Sequence, residues 1–253
     1  MTTGQVRWIA AAALAMSAVS AGSARAQAPT SGEAVVRAMH DKYASTWYKT
    51  LTFQQKTTRR TPADTMMVQT WYETAAVPGR LRIDIAPRPG TSYIYANDSI
   101  YVTHKDSVLR RLPGRNPLLI LGFDVYGQPA EKTIDVLHEE GFDLGPMHDD
   151  TWEGRAVYVI GAAKGDLHTR QFWVDKDRLL FVRLLEPARG DSTKVDDTRF
   201  DDYRRLGGGW IAARVEFYEG GKLMQREEYS DMKANPPVPP DTFTPGAAPG
   251  SSR

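Results

Sequence analysis

The feature that most constrains this chain is a two-residue alternation of apolar and polar side chains. It recurs from Thr50 almost to the end, without the strand-helix-strand rhythm that a parallel sheet requires. Leu51, Phe53 and Gln55 alternate with Thr52, Gln54 and Lys56, and Leu81, Ile83 and Ile85 oppose Arg80, Arg82 and Asp84. The pattern predicts half-buried antiparallel strands: one from Thr50, a second over 66–74, a third over 80–85, and a hairpin over 92–105 whose turn, Asn97-Asp98, tolerates positive φ. Further strands are predicted over 156–161, 170–174, 179–185, 196–205, 210–218 and 222–229, with Gly220-Gly221 as the last tight turn. About ten or eleven strands result, spaced as in an all-β barrel or curved sheet, and no internal repeat points to a propeller or solenoid.

Two helical stretches interrupt the strands. Thr30 and Glu33 have capping-box spacing, and Val35, Val36, Met39, Tyr43 and Trp47 recur at helical intervals, which predicts a helix over 31–47. From Pro113 to Gln128 the alternation gives way to a Leu-rich patch with Phe123 and Tyr126. A helix then follows, with Pro129 at its first position and Gly141 as its stop.

The N-terminus reads as an export signal. Arg7 precedes an apolar run from Trp8 to Ala21, and Ala24-Arg25-Ala26 forms a small-x-small cleavage site. About fourteen apolar residues fall short of the roughly twenty that a spanning helix needs. Residues 1–26 are therefore expected to be a cleaved signal peptide, and 27–245 a single domain in the periplasm. Residues 246–253, which continue a Pro-, Gly-, Ala- and Ser-rich end, are expected to be a disordered tail. No Cys is present in the 253 residues, which excludes thiolate metal sites, thiol nucleophiles and a lipid-modified cysteine anchor; the chain is not expected to be membrane-anchored itself. With 32 basic and 31 acidic residues there is no electrostatic footprint for nucleic acid.

Candidate chemistry is sparse. None of the five histidines stands four residues from another, and His138-Glu139 and His148-Asp149-Asp150 offer only local acidic neighbours. There is no G-x-S-x-G elbow, and Gly207-Gly208-Gly209 lacks the Lys-Ser/Thr of a phosphate loop. The carboxylate pairs Asp196-Asp197 and Asp201-Asp202 read as charges on the wet face of a sheet. No catalytic residue, metal or cofactor is expected, and the chain is not expected to be an enzyme.

The positive signal is an excess of aromatic and aliphatic residues in the strands, several of which carry large apolar side chains on both faces, as in Tyr158-Val159-Ile160 and Phe172-Trp173-Val174. Such a sheet needs two covers: a core on one side, and helices or a ligand on the other. An apolar concavity under a helical lid would use the surface that two helices leave over. The same residues would also serve as plain core.

The order of short motifs adds to this reading. Phe53-Gln54-Gln55-Lys56 follows the first helix, and Pro78-Gly79-Arg80-Leu81-Arg82-Ile83 and Asn97-Asp98-Ser99-Ile100-Tyr101-Val102 come after it. Trp152-Glu153-Gly154-Arg155-Ala156-Val157-Tyr158 precedes Gln171-Phe172-Trp173-Val174-Asp175-Lys176. Across nearly the whole mature chain this series resembles the outer-membrane lipoprotein-sorting (LolA-like) superfamily. The resemblance implies a mainly β fold, an unclosed, strongly curved antiparallel β-barrel with helices covering an apolar concave face that shelters acyl chains. The implied partner is an acylated lipoprotein or lipid, with a membrane-bound transporter or receptor as a further one. Candidate lining residues are Phe53, Trp71, Leu81, Ile83, Tyr93, Tyr95 and Tyr101. The candidate lid comprises Leu118, Leu119, Leu121 and Phe123 together with the helix after Pro129. One departure is Val77, where carriers of this type place an Arg that helps latch the lid. Two other roles stay open: an RseB-like envelope sensor signalling to a membrane partner, and an envelope hydrolase, for which no nucleophile-base pair is evident.

Overall fold

The computed structural model describes residues 28–105 and 107–246. The expected signal peptide and nearly all of the expected tail lie outside the described residues. The first helix, α1 (Gly32–Tyr43), is capped by Ser31, whose side chain accepts the Ala34 N–H at 3.2 Å, and it buries Val35, Val36, Met39 and Tyr43. It ends before the predicted Trp47. There the Trp47 ring stacks on Tyr48 at 4.9 Å and meets Tyr126 at 4.1 Å, and Gly209 comes so close that a Cβ would lie 2.5 Å from the indole. Tertiary packing of the aromatic ring overrides the helical spacing.

Thirteen strands follow: β1 (Thr50–Arg60), β2 (Met66–Ala76), β3 (Arg80–Ile85), β4 (Thr91–Ala96), β5 (Ser99–His104), β6 (Ser107–Pro113), β7 (Met147–Trp152), β8 (Arg155–Ile160), β9 (Gln171–Asp175), β10 (Phe181–Pro187), β11 (Val195–Leu206), β12 (Gly209–Glu219) and β13 (Lys222–Ala234). All belong to one antiparallel sheet in the order β6-β5-β4-β3-β2-β1-β13-β12-β11-β10-β9-β8-β7. The first and last strands pair at its centre, Gln55 opposite Tyr229 and Thr57 opposite Glu227. The two edges, β6 and β7, do not pair, so the curved sheet stays open there. Neither edge strand was predicted. Every described residue of β6 is exposed and β7 reads Met-His-Asp-Asp-Thr-Trp, so neither carries the apolar alternation of a covered strand.

The chain crosses from one edge to the other through helices: α2 (Pro117–Leu119), a π-helical stretch (Ile120–Asp124), α3 (Val125–Gly127) and α4 (Ala130–Glu139). Being tethered at both edges, this segment covers the concave face. With α1 it packs onto the inward residues of β8 to β12, among them Ile160, Phe172, Phe181 and Phe200, to form the main core. The convex face is covered by its own side chains. Arg183 lies between the Trp152 and Trp173 rings, 4.1 and 4.6 Å from their centroids, and makes a two-pronged ion pair with Asp197 at 2.8 Å. Asp197 is therefore buried, not the wet surface charge expected from the sequence. Asp201 is paired with Arg214.

Candidate functional site

The half of the concave face formed by β1 to β5, β12 and β13 is not filled by α1 and α4. Between it and the α2/π segment lies a cavity of about 390 Å³, a size suited to a small ligand or part of an acyl chain. Cross-strand register builds its wall: Phe53 stands opposite Glu73, Glu73 opposite Ile83, Trp71 opposite Gln55, and Leu81 opposite Tyr95. Five of the sequence-predicted lining residues, Phe53, Trp71, Leu81, Ile83 and Tyr95, face this space. Tyr93 shares their face but packs against the main core without lining the cavity.

Tyr101 is a correction. The two-residue turn at Asn97-Asp98, with φ of 51° and 52°, pairs Tyr95 with Ile100 and Ile94 with Tyr101. Mirroring about such a turn puts odd-numbered residues of β4 beside even-numbered residues of β5. Ile100 therefore joins the wall, while Tyr101 lies on the convex face with Ile94 and Phe243. From the lid, Leu118, Leu119 and Phe123 reach the cavity. Leu121, also expected to do so, is fully buried in the core beneath the lid.

The wall also holds polar groups that the sequence reading did not select. Glu73 and Glu227 line the cavity, with only 7% of each residue exposed. Glu227 accepts from Gln225 Nε2 at 2.6 Å and from the Tyr229 hydroxyl at 2.9 Å, whereas Glu73 has no hydrogen-bond partner among the described residues. Burial, reinforced by the charge of Glu227, pushes the Glu73 carboxyl well above its ordinary range, and burial pushes Glu227 up to about 7. The signal was available: Trp71-x-Glu73-x-Ala75 and Gln225-x-Glu227-x-Tyr229 each place an acid in phase with inward-facing residues.

Two contacts fasten the lid. Arg115, just before α2, bonds to Asp98 in the β4–β5 turn at 2.7 and 3.0 Å and to Glu139 of α4 at 2.8 Å. At the far end of the π stretch, the buried Asp124 carboxylate accepts the Gly79 N–H at 3.0 Å, tying the lid to the β2–β3 turn; burial pushes this carboxyl up to about 7. Val77 lies in the same turn, where a Cβ on Gly127 would come within 2.9 Å of it. Among the described residues no group of three His, Cys, Asp or Glu could hold a metal ion, and no helix is long and apolar enough to cross a membrane.

This architecture, an unclosed antiparallel sheet with helices across its concave face, is the LolA-like fold. No family model and no curated protein sequence matches the chain. Solved structures do. A DUF1329 family protein from Desulfovibrio piger superposes with a TM-score of 0.59 at 14% identity over 84% of this chain and 95% of that one. A LolA superfamily protein from Nitrosomonas europaea gives 0.52 at 14% identity over 83% and 97%. A candidate outer membrane lipoprotein-sorting protein domain from Vibrio parahaemolyticus gives 0.57 at 12% identity over 84% and 96%. At such identities the likeness is one of fold.

Proposed function

We propose that this protein is a periplasmic binder or carrier of an acyl-chain ligand, a lipoprotein or a lipid, exported by residues 1–26 and acting through a single domain over 27–245. The observation that carries the proposal is the cavity of about 390 Å³ walled by Phe53, Trp71, Leu81 and Ile83 and closed by Leu118 and Phe123. The fold neighbours, a LolA superfamily protein and a domain named for outer membrane lipoprotein sorting, support it. Transfer of each methylene from water to such a wall contributes roughly 0.8 kcal/mol, so a chain of ordinary length binds without any charged latch.

The test is native mass spectrometry of gently purified mature protein, followed by organic extraction. A discrete lipid or acylated-peptide adduct is expected. Leu81→Asp or Ile83→Asp should abolish it by placing a charge in the wall. A protein that is empty as purified, and that fails to bind added fatty acid or lipopeptide, would refute the reading.

A further inference from the structure

An acyl chain needs only apolar walls, yet one flank of this cavity is built from buried polar side chains. Glu73, Gln225 and Glu227 line it, and Gln69, Gln55 and Thr57 stand next to them on the same inward face of the adjacent strands β2 and β1. Gln55 is fully buried and its amide nitrogen bonds to Thr57 Oγ1 at 2.7 Å, which leaves the amide oxygen without a partner. The Gln69 amide oxygen is likewise buried and unpartnered. Glu73, more than nine-tenths buried, faces the cavity with no hydrogen-bond donor among the described residues. Against these acceptors the same wall holds one unpartnered donor, the buried Trp71 Nε1–H, so acceptors remain in excess, and unmet polar groups destabilise a buried site.

From this juxtaposition we infer that the cavity selects an amphiphile whose head is a primary amine, received by Glu73 and Glu227. The inference rests on the acyl-chain reading above and adds the head-group class. An ammonium group brings three donors and no acceptor, and its charge draws the two buried acids into the ionised form in which both accept. Its charge also offsets the repulsion that arises when both acids ionise, which no cation among the described residues relieves. Of the two arginines that line the cavity, Arg115 is held by Asp98 and Glu139, and Arg189, in the β10–β11 turn, acts on Glu186 and Asp196. A carboxylate head would bring a further negative charge to the two acids and disfavour their ionisation. An alcohol would supply one donor and no charge.

The experiment is calorimetric titration of the full mature protein with dodecylamine, 1-dodecanol and dodecanoate. Dodecylamine should bind about tenfold or more tightly than dodecanol, a difference of about 1.4 kcal/mol, and dodecanoate should bind most weakly. Glu73→Gln and Glu227→Gln keep the side-chain shape; each should remove most of the amine preference, read as the ratio of dodecylamine to dodecanol affinity in the same variant. The wild-type ranking is decisive by itself should a variant fail to fold. Equal affinities for the three heads, or a preference for the carboxylate, overturn the inference and leave the acyl-chain reading intact. Binding of none of them overturns both. A second comparison distinguishes the amine's source: an ethanolamine phospholipid and a peptide carrying an acyl chain beside a free α-amine, each against its N-acetylated form. Loss of binding on acetylation in either supports the inference and identifies the source; loss in neither overturns it.

Discussion

At the scale of single residues, the molecule stores its pH dependence in buried carboxylic acids. Asp124 is 3% exposed, and burial moves its pKa from the ordinary 3.8 up to about 7. A carboxyl with a raised folded-state pKa keeps its proton where the unfolded chain has already released it. Folding therefore takes up protons between 3.8 and about 7, stability falls as pH rises through that window, and it levels off above it. For this one group the fall is on the order of 4 kcal/mol. Glu227, moved from 4.5 to about 7, acts with the same sign. Thermal unfolding should thus give a higher Tm at pH 5 than at pH 8. Asp124→Asn, which still accepts the Gly79 N–H, should shrink that difference; an unchanged pH profile would show that Asp124 ionises freely. The lining residues were largely legible from alternation because period two fixes the face of each strand. Tyr101 lies outside the cavity because the two-residue turn switches the parity of the inward residues, and its aromatic character does not reveal that register.

At the scale of elements, the lid is held at its ends. Arg115 couples the start of α2 to the β4–β5 turn and to α4, with its side chain 22% exposed and its partners Asp98 and Glu139 mostly in solvent. Such pairs contribute little to global stability, about 0–1 kcal/mol each. Arg115→Ala should therefore lower Tm only slightly, while dissociation of a bound acyl chain, followed by stopped-flow fluorescence, should quicken several-fold because the start of the lid loses its tie to the β4–β5 turn and to α4. An unchanged off-rate would mean that the ligand leaves by another route. The lid was legible as a Leu-rich break in the alternation, though its internal form was not. The π stretch depends on tertiary fit: the Phe200 ring lies so close to Gly122 that a Cβ there would come within 3.1 Å of it. The edge strands β6 and β7 escaped notice for a related reason, since a strand with little covered surface has no apolar period to read. On β6, Val108 and Leu109 stand 48% and 61% exposed beside Arg110 and Arg111, the charges that commonly guard an edge against pairing with another chain.

At the scale of the whole molecule, the sheet order sets which parts can move. Every strand except β6 and β7 has hydrogen-bonded neighbours on both sides, and the chain's first and last strands, β1 and β13, meet at the centre of the order. Opening β6 breaks one ladder and exposes little apolar surface. Opening β1 or β13 breaks two ladders and uncovers Leu51 and Phe53 together with the Tyr229 ring, which sits 4.4 Å from that of Phe53. Since β13 is the last strand made and pairs with the first, neither has its full set of partners until the chain is complete, and the two should be lost together in global unfolding. In native-state hydrogen exchange, β6 amides should exchange by local opening, while those of β1 and β13 should exchange only through events as costly as complete unfolding. The polar flank of the cavity lies on β1, β2 and β13, so it belongs to the most rigid part of the protein, opposite the helical segment that crosses from one sheet edge to the other. Addition of a ligand should accordingly raise protection across 115–127 and leave β1 and β13 at the global limit. If β13 exchanged as fast as β6, the pairing of the two terminal strands would not be the closure of this fold, and the cavity wall would be as mobile as its lid.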